Sequence, residues 1–185
     1  MKNHKEVSGI PITVLKKEKI NGSITAFEIE PPFPLLENTR FGIDPGTTNM
    51  GLAILYPNSV QLYKIKMIRL TKALDRMLEV QQMLTRCIGW FGHKPSAIIE
   101  GASFGGYRQV ELAEIRAAIA LWFHHHKVPV DIVPPKRIRK ASFGNGNIKN
   151  PWDNLDDDLA AALGCAYYSV NISTISSTET SLSGK

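Results

Sequence analysis

The sequence predicts an α/β fold: a mixed five-stranded sheet, three antiparallel strands then parallel β-α-β units, with helices on both faces. Three observations carry this. FGIDPGT and MGLAILY are apolar runs joined by a turn around Thr48-Asn49, and QLYKIKMIRL alternates in polarity behind the turn PNS. Two helix-periodic segments, 71–91 and 109–125, then alternate with the short apolar runs AIIE and VPVDIV. A last helical pattern, LDDDLAAALGCAYYSV, completes the order β-β-β-α-β-α-β-α.

In chain order, residues 1–40 read as an extension to the domain, in which ITAFEIEPPF can form a strand and PPFPLLEN is an irregular connector. In the third strand of the core, Tyr63, Ile65 and Met67 share a face. The helix over 71–91 has a stripe of Leu74, Leu78, Leu84 and Ile88, with Met77 and Cys87 beside it and Thr71 as N-cap; Lys94-Pro95 ends that unit. AIIE, at 97–100, is a short buried strand that ends in an acid, and GASFGGYR is a glycine-rich loop. The helix over 109–125 turns Leu112, Ile115, Ile119, Trp122 and Phe123 inward. Leu121, Trp122 and Phe123 are adjacent and cannot all reach one core face, so one of them meets solvent or a partner. VPVDIV, at 128–133, is another buried strand, PKRIRKASF a short basic helix and GNGNIKNP a loop. The polar tail 171–185 is expected to be disordered, which leaves 41–170 as the folded domain.

The chain has 185 residues, 43% hydrophobic and 21% charged, enough for one domain with its own core. No run of about 18 apolar residues is present to span a membrane. The first residues lack the apolar stretch of a secretory signal, so a cytoplasmic protein is expected. Cys87 and Cys165 fall in apolar helical patterns and read as buried thiols. The net charge of +5 favours a polyanionic partner. Lys127, Lys136, Arg137, Arg139, Lys140 and Lys149 face a single acid, Asp131, in their segment, and DNLDDD follows directly. Bases that hold phosphates beside acids that hold cations would account for this juxtaposition.

Three acidic positions stand out. Asp44 interrupts an apolar run, Glu100 ends a parallel-type strand, and Asp156, Asp157 and Asp158 open a helix. Ligand chemistry in open α/β sheets gathers at the carboxyl ends of strands. Buried acids cost several kcal/mol unless paired or metal-bound, and oxygen-only donors suit Mg²⁺ or Mn²⁺. Two such ions about 3.5–4 Å apart would clamp an in-line phosphoryl displacement. Each acid also has a plainer reading: an Asx turn at Asp44, a strand end at Glu100, and helix-dipole pairing at 156–158. His124, His125 and His126 end a helix, where imidazolium pairs with the dipole.

In their order these segments resemble the RuvC family of Holliday-junction resolvases, of the ribonuclease H-like superfamily, from Phe41 to about Tyr168. GIDPGTTNMGLAI is similar to the family's first strand, IIEGASFGG to its second motif, LAEIRAAIA to the helix that follows, PPKRIRKASFGNGNIK to its basic segment and DDLAAAL to its closing helix. The resemblance implies a structure-specific endonuclease that acts on four-way or otherwise branched DNA as a homodimer. It further implies that Asp44, Glu100 and a last aspartate hold two Mg²⁺ or Mn²⁺ ions. The family places a leucine two residues after that aspartate, so Leu159 selects Asp157. An acid or histidine usual three residues earlier is here Asn154, which offers a neutral oxygen, while Asp153 at i−4 can substitute. Arg139, Lys140 and Lys149 are expected on backbone phosphates, and Phe104 or Tyr107 on an opened base. The gap at Asn154 keeps open a DNA-binding relative without cleavage. GIDPGTTN also resembles the phosphate loop of actin-like ATPases, but that fold needs two such domains and this chain has one copy of the motif.

Overall fold

The computed structural model describes residues 12–32, 37–102, 108–152 and 154–168. Among them, seven strands form one sheet: β1 (Val14–Lys19), β2 (Ile24–Ile29), β3 (Arg40–Asp44), β4 (Asn49–Tyr56), β5 (Ser59–Lys66), β6 (Ser96–Glu100) and β7 (Val130–Val133). Their spatial order is β1-β2-β5-β4-β3-β6-β7. β3, β4 and β5 are antiparallel, and β6 and β7 continue the sheet in parallel, as the element order required.

The strand count differs from the expected five. The N-terminal segment forms a hairpin, β1–β2, that pairs antiparallel with β5. β1 reads VLKKEK and is exposed along its length, so it carries no apolar alternation to be recognised by. β2 anchors the hairpin through Ile24 and Ile29, which are buried in the cores on opposite faces of the sheet.

Helices α1 (Ala73–Cys87) and α2 (Gln109–His125) cover one face, where Phe41, Ile43, Leu52, Ile54 and Ile65 meet Val80, Leu84, Ile115, Ile119 and Phe123. Helix α3 (Pro135–Phe143) and the helical residues 157–168, α4, cover the other. Of the expected stripe along α1, only the later half, Leu84 and Ile88, is buried. Leu74 and Leu78 are exposed, and Val80, Met83, Leu84 and Cys87 are buried together with Glu79, whose carboxylate accepts the Ile68 N–H at 3.1 Å. Packing against α2 and the sheet selects the later residues of the helix, which turns Leu74 and Leu78 to its flank. The N-cap is Lys72 rather than Thr71, without a side-chain cap bond. Of the three adjacent apolar residues in α2, Leu121 faces outward. Expected as a buried strand from 128, β7 instead begins at Val130 and exposes Ile132, because it forms the sheet edge. Cys87 and Cys165 are buried free thiols. No helix of the described residues is long and apolar enough to cross a membrane.

The close seating of α4 fixes the site end of the sheet. A Cβ added at Gly42 would lie 2.1 Å from the Ala162 carbonyl oxygen and 2.2 Å from the Ala166 nitrogen. One added at Gly51 would lie 2.1 Å from the Asp158 carbonyl oxygen. These obstacles are backbone atoms, which cannot swing aside. Gly42→Ala is therefore expected to destabilise the fold by about 3 kcal/mol. Gly22→Ala, where no atom lies within 4 Å, should be near neutral. Urea unfolding midpoints of the two variants check this.

Candidate metal and nucleic-acid site

Strands β3 and β6 run parallel, with Gly42 opposite Ile98 and Ile43 opposite Ile99. Asp44 and Glu100 thus end neighbouring strands at one level. Each lies two residues beyond a side chain or glycine that meets α4 and α3, so both project to that face. Across β4, Asp44 pairs with Gly51, against which the first turn of α4 rests.

The electrostatics follow from this crowding. Burial, then the charges of Glu100 and Asp158, push the Asp44 carboxyl well above its ordinary range, while Arg139 and Arg116 pull it down. Burial also raises Glu100, opposed by Arg139 and Arg116. The Arg139 guanidinium, on α3, lies 3.8 Å from Glu100 Oε1. Arg116 reaches from α2, on the other face, and donates to the Glu100 carbonyl at 3.0 Å and the Gly101 carbonyl at 3.3 Å.

Asp158 is the aspartate of α4 whose charge acts on Asp44. Asp158, Ala162 and Ala166 are four apart and form the helix row that meets the sheet. Its carboxyl is raised by burial first and then by Asp156, with Lys64, and a hydrogen bond from Asn49, opposing. Asp157 is about 100° further round the helix. It is exposed, and its Oδ1 accepts from Asn150 Nδ2 at 3.4 Å. Asp156 pairs with Lys64 at 2.7 Å, and Lys64 lies 3.9 Å from Asp158. Asp44, Glu100 and Asp158 thus lie at one end of one face of the sheet, and the charge of Asp158 reaches Asp44, where the leucine spacing selects Asp157.

Asn154, Lys140 and Lys149 are exposed. Asp153, Phe104 and Tyr107 lie outside the described residues, so the structure says nothing of their roles. Among the described residues, no three His, Cys, Asp or Glu side chains converge into a metal-binding group. The donor chemistry nonetheless fits a divalent cation: oxygen ligands only, with all three carboxyls raised first by burial and Asp44 also by the charges of Glu100 and Asp158. Sequence reasoning passed over Arg116, Asn49 and Lys64, and named Asp158 only beside Asp156 and Asp157. A single arginine within the apolar helix LAEIRAAIA was a signal for the first. Asn49 and Lys64 become neighbours of these acids only through strand pairing and the rotation of α4.

Comparison with known proteins places the chain in a family and agrees with its fold. The family model described as crossover junction endodeoxyribonuclease RuvC matches residues 41–151, a span that ends ahead of the aspartates of α4. A crossover junction endodeoxyribonuclease RuvC from Christiangramia forsetii is 31% identical over 156 residues, which covers 71% of this chain and 80% of the relative. Thermus thermophilus RuvC has a similar fold, with a TM-score of 0.59 and 18% identity, over 75% of this chain and 96% of that one. The same protein in complex with a Holliday junction substrate gives a TM-score of 0.59 at 19% identity over the same shares.

A carboxyl raised in the native state favours folding while protonated. That contribution is present below the unfolded value of about 4 and is lost as pH rises through the native value. Without divalent ions, Asp44→Asn should therefore be more stable than the parent chain at neutral pH, and the advantage should vanish at about pH 4. Urea titrations at the two pH values, with a chelator present, measure the difference.

Proposed function

The chain belongs to the RuvC family of crossover junction endodeoxyribonucleases, and on that premise we propose that it resolves four-way or related branched DNA by metal-dependent paired nicking. The observation that carries the reading is the placing of Asp44 and Glu100 at the ends of neighbouring strands, on the face against which the helix carrying Asp158 packs, with Arg139 beside Glu100. The relative from Christiangramia forsetii and the junction complex of Thermus thermophilus RuvC support the substrate class.

Asp44, Glu100 and Asp158 would hold Mg²⁺ or Mn²⁺, with Asp157 as the alternative that the leucine spacing favours and Asp153 or Asn154 completing the set. Two ions held there would supply charge stabilisation to the attacking and leaving oxygens of a phosphodiester hydrolysis. The chain's own groups do the rest. Arg116 fixes the end of β6 through its backbone carbonyls, and Arg139 balances the charge of Glu100. Lys140 and Lys149 hold backbone phosphates, which orient the substrate without reading sequence. Phe104 or Tyr107 is proposed to stack on a base opened at the branch.

Paired nicks on opposed strands require two sites, and a two-fold homodimer matches the near two-fold symmetry of a four-way junction. Exposed Leu121 on α2, with Leu74 and Leu78 on α1, offers an apolar surface for it. Sedimentation of the free protein and of its junction complex is expected to give a dimer in both; a monomer with uncoupled single nicks would leave a branch nickase.

Asn154, where the family has an acid or histidine, favours a second reading: a junction-binding relative without cleavage. Assays on junction, flap, fork and duplex substrates with Mg²⁺ or Mn²⁺ separate the two. In these assays Asp44→Asn is expected to lose at least about a hundredfold in cleavage, some 2.7 kcal/mol of barrier, and to keep junction binding. Asp158→Asn should match that loss and exceed those of Asp156→Asn and Asp157→Asn. If Asp157→Asn is the worse variant, the leucine spacing defines the site instead.

A further inference from the structure

Strand register links the carboxylate site to the N-terminal hairpin. Directly paired residues share a face of the sheet. Asp44 pairs with Gly51, Gly51 with Lys64, Lys64 with Thr25 and Thr25 with Lys19. The five form a row across β3, β4, β5, β2 and β1, on the face that carries α4. Lys66 lies on the same face, two residues from Lys64 and opposite Asn49. Lys17 does too: it pairs with Phe27, its Nζ is 5.3 Å from the ring centroid, and Phe27 packs on the core beneath α4.

Charge is sorted between the two faces. Lys16 pairs with Glu28, and Glu18 with Ala26, so the acids of the hairpin strands lie on the opposite face, where Lys16 and Glu18 form an ion pair at 2.8 Å. On the α4 face Lys64 is engaged by Asp156 and Asp158. Lys17, Lys19 and Lys66 are exposed, and none of the ion pairs among the described residues includes them. The row therefore passes from carboxylates, through a lysine paired with them, to cations open to solvent.

We infer that this face of the N-terminal hairpin is a further nucleic-acid contact, in which Lys66, Lys19 and Lys17 hold backbone phosphates of a duplex arm leading away from the carboxylates. The inference rests on the nuclease reading above and adds a surface whose outer part, Lys17 and Lys19, precedes the family-matched span, with Lys66 inside it. Four strand spacings place Lys19 about 19 Å from Asp44. At about 3.4 Å per base pair along one strand, that is about six base pairs from the scissile phosphate. An acidic protein partner would also meet lysines, but continuity with the carboxylate row and confinement to its face favour the arm of the substrate.

The test is junction binding with a chelator present, followed by fluorescence anisotropy over a range of salt, on four-way junctions with arms of about 15 or about 4 base pairs. On long arms, Lys17→Ala with Lys19→Ala should make the log–log salt dependence shallower by about 1.8, since each phosphate contact contributes about 0.9. On short arms the double variant should match the parent, both in binding and in the rate of cleavage with Mg²⁺. Lys16→Ala, on the opposite face, should behave as the parent with both. An unchanged slope on long arms, an equal loss on short arms, or an equal loss from Lys16→Ala would overturn the inference. If the parent chain cuts junctions and the hairpin variants bind as it does, the hairpin contact alone fails. If the parent chain neither binds nor cuts them, the nuclease reading fails and the contact with it.

Discussion

Helix α4 can approach β3 and β4 only because Gly42 and Gly51 leave their backbones bare. With a Cβ at either position, the carbonyl oxygens of Ala162 and Asp158 would be overlapped at 2.1 Å. This contact does more than bury Leu159, Leu163 and Ala166 against the sheet. It fixes both the height and the rotation of α4, and so decides which aspartate of its first turn acts on Asp44. Since successive helix residues differ by about 100°, a slip of one residue would exchange Asp158 for Asp157. The site inherits its composition from a packing constraint between backbones.

The carboxylates gathered in this way are incompletely balanced. Arg139 stands 3.8 Å from Glu100, beyond hydrogen-bond length, and Arg116 binds the carbonyls of the strand end rather than the carboxylates. Both lower the carboxyls of Asp44 and Glu100, but burial outweighs them at both positions. The sheet's two faces divide the work: α1 and α2 cover one with the larger apolar core, while the other combines a smaller core with the charged residues.

The N-terminal hairpin extends this division beyond the family-matched span. Its outer strand is exposed on both sides and lies at the sheet edge, where lysines also discourage edge-to-edge pairing. Register sends Lys17 and Lys19 to the α4 face and Lys16, Glu18 and Glu28 to the other, so a strand with little net pattern in one dimension becomes sharply patterned in three.

What the sequence determined by itself was the order of elements, three antiparallel strands and then parallel units, because each core strand and helix carries its own apolar period. It also determined Asp44 and Glu100 as strand-end acids, since an acid that closes an apolar run is a local signal. The hairpin's place in the sheet was not legible, because β1 has no buried side chain and is held by backbone pairing. Nor was the buried side of α1, where Leu74 and Leu78 are as apolar as the residues the core took. The tertiary structure alone decided that the charge of Asp158 acts on Asp44 while Asp157 is exposed, and that Lys64, Asn49 and Arg116 lie beside these acids. These are relations between segments far apart in the chain, and they depend on strand register and helix rotation, which no local run of residues encodes.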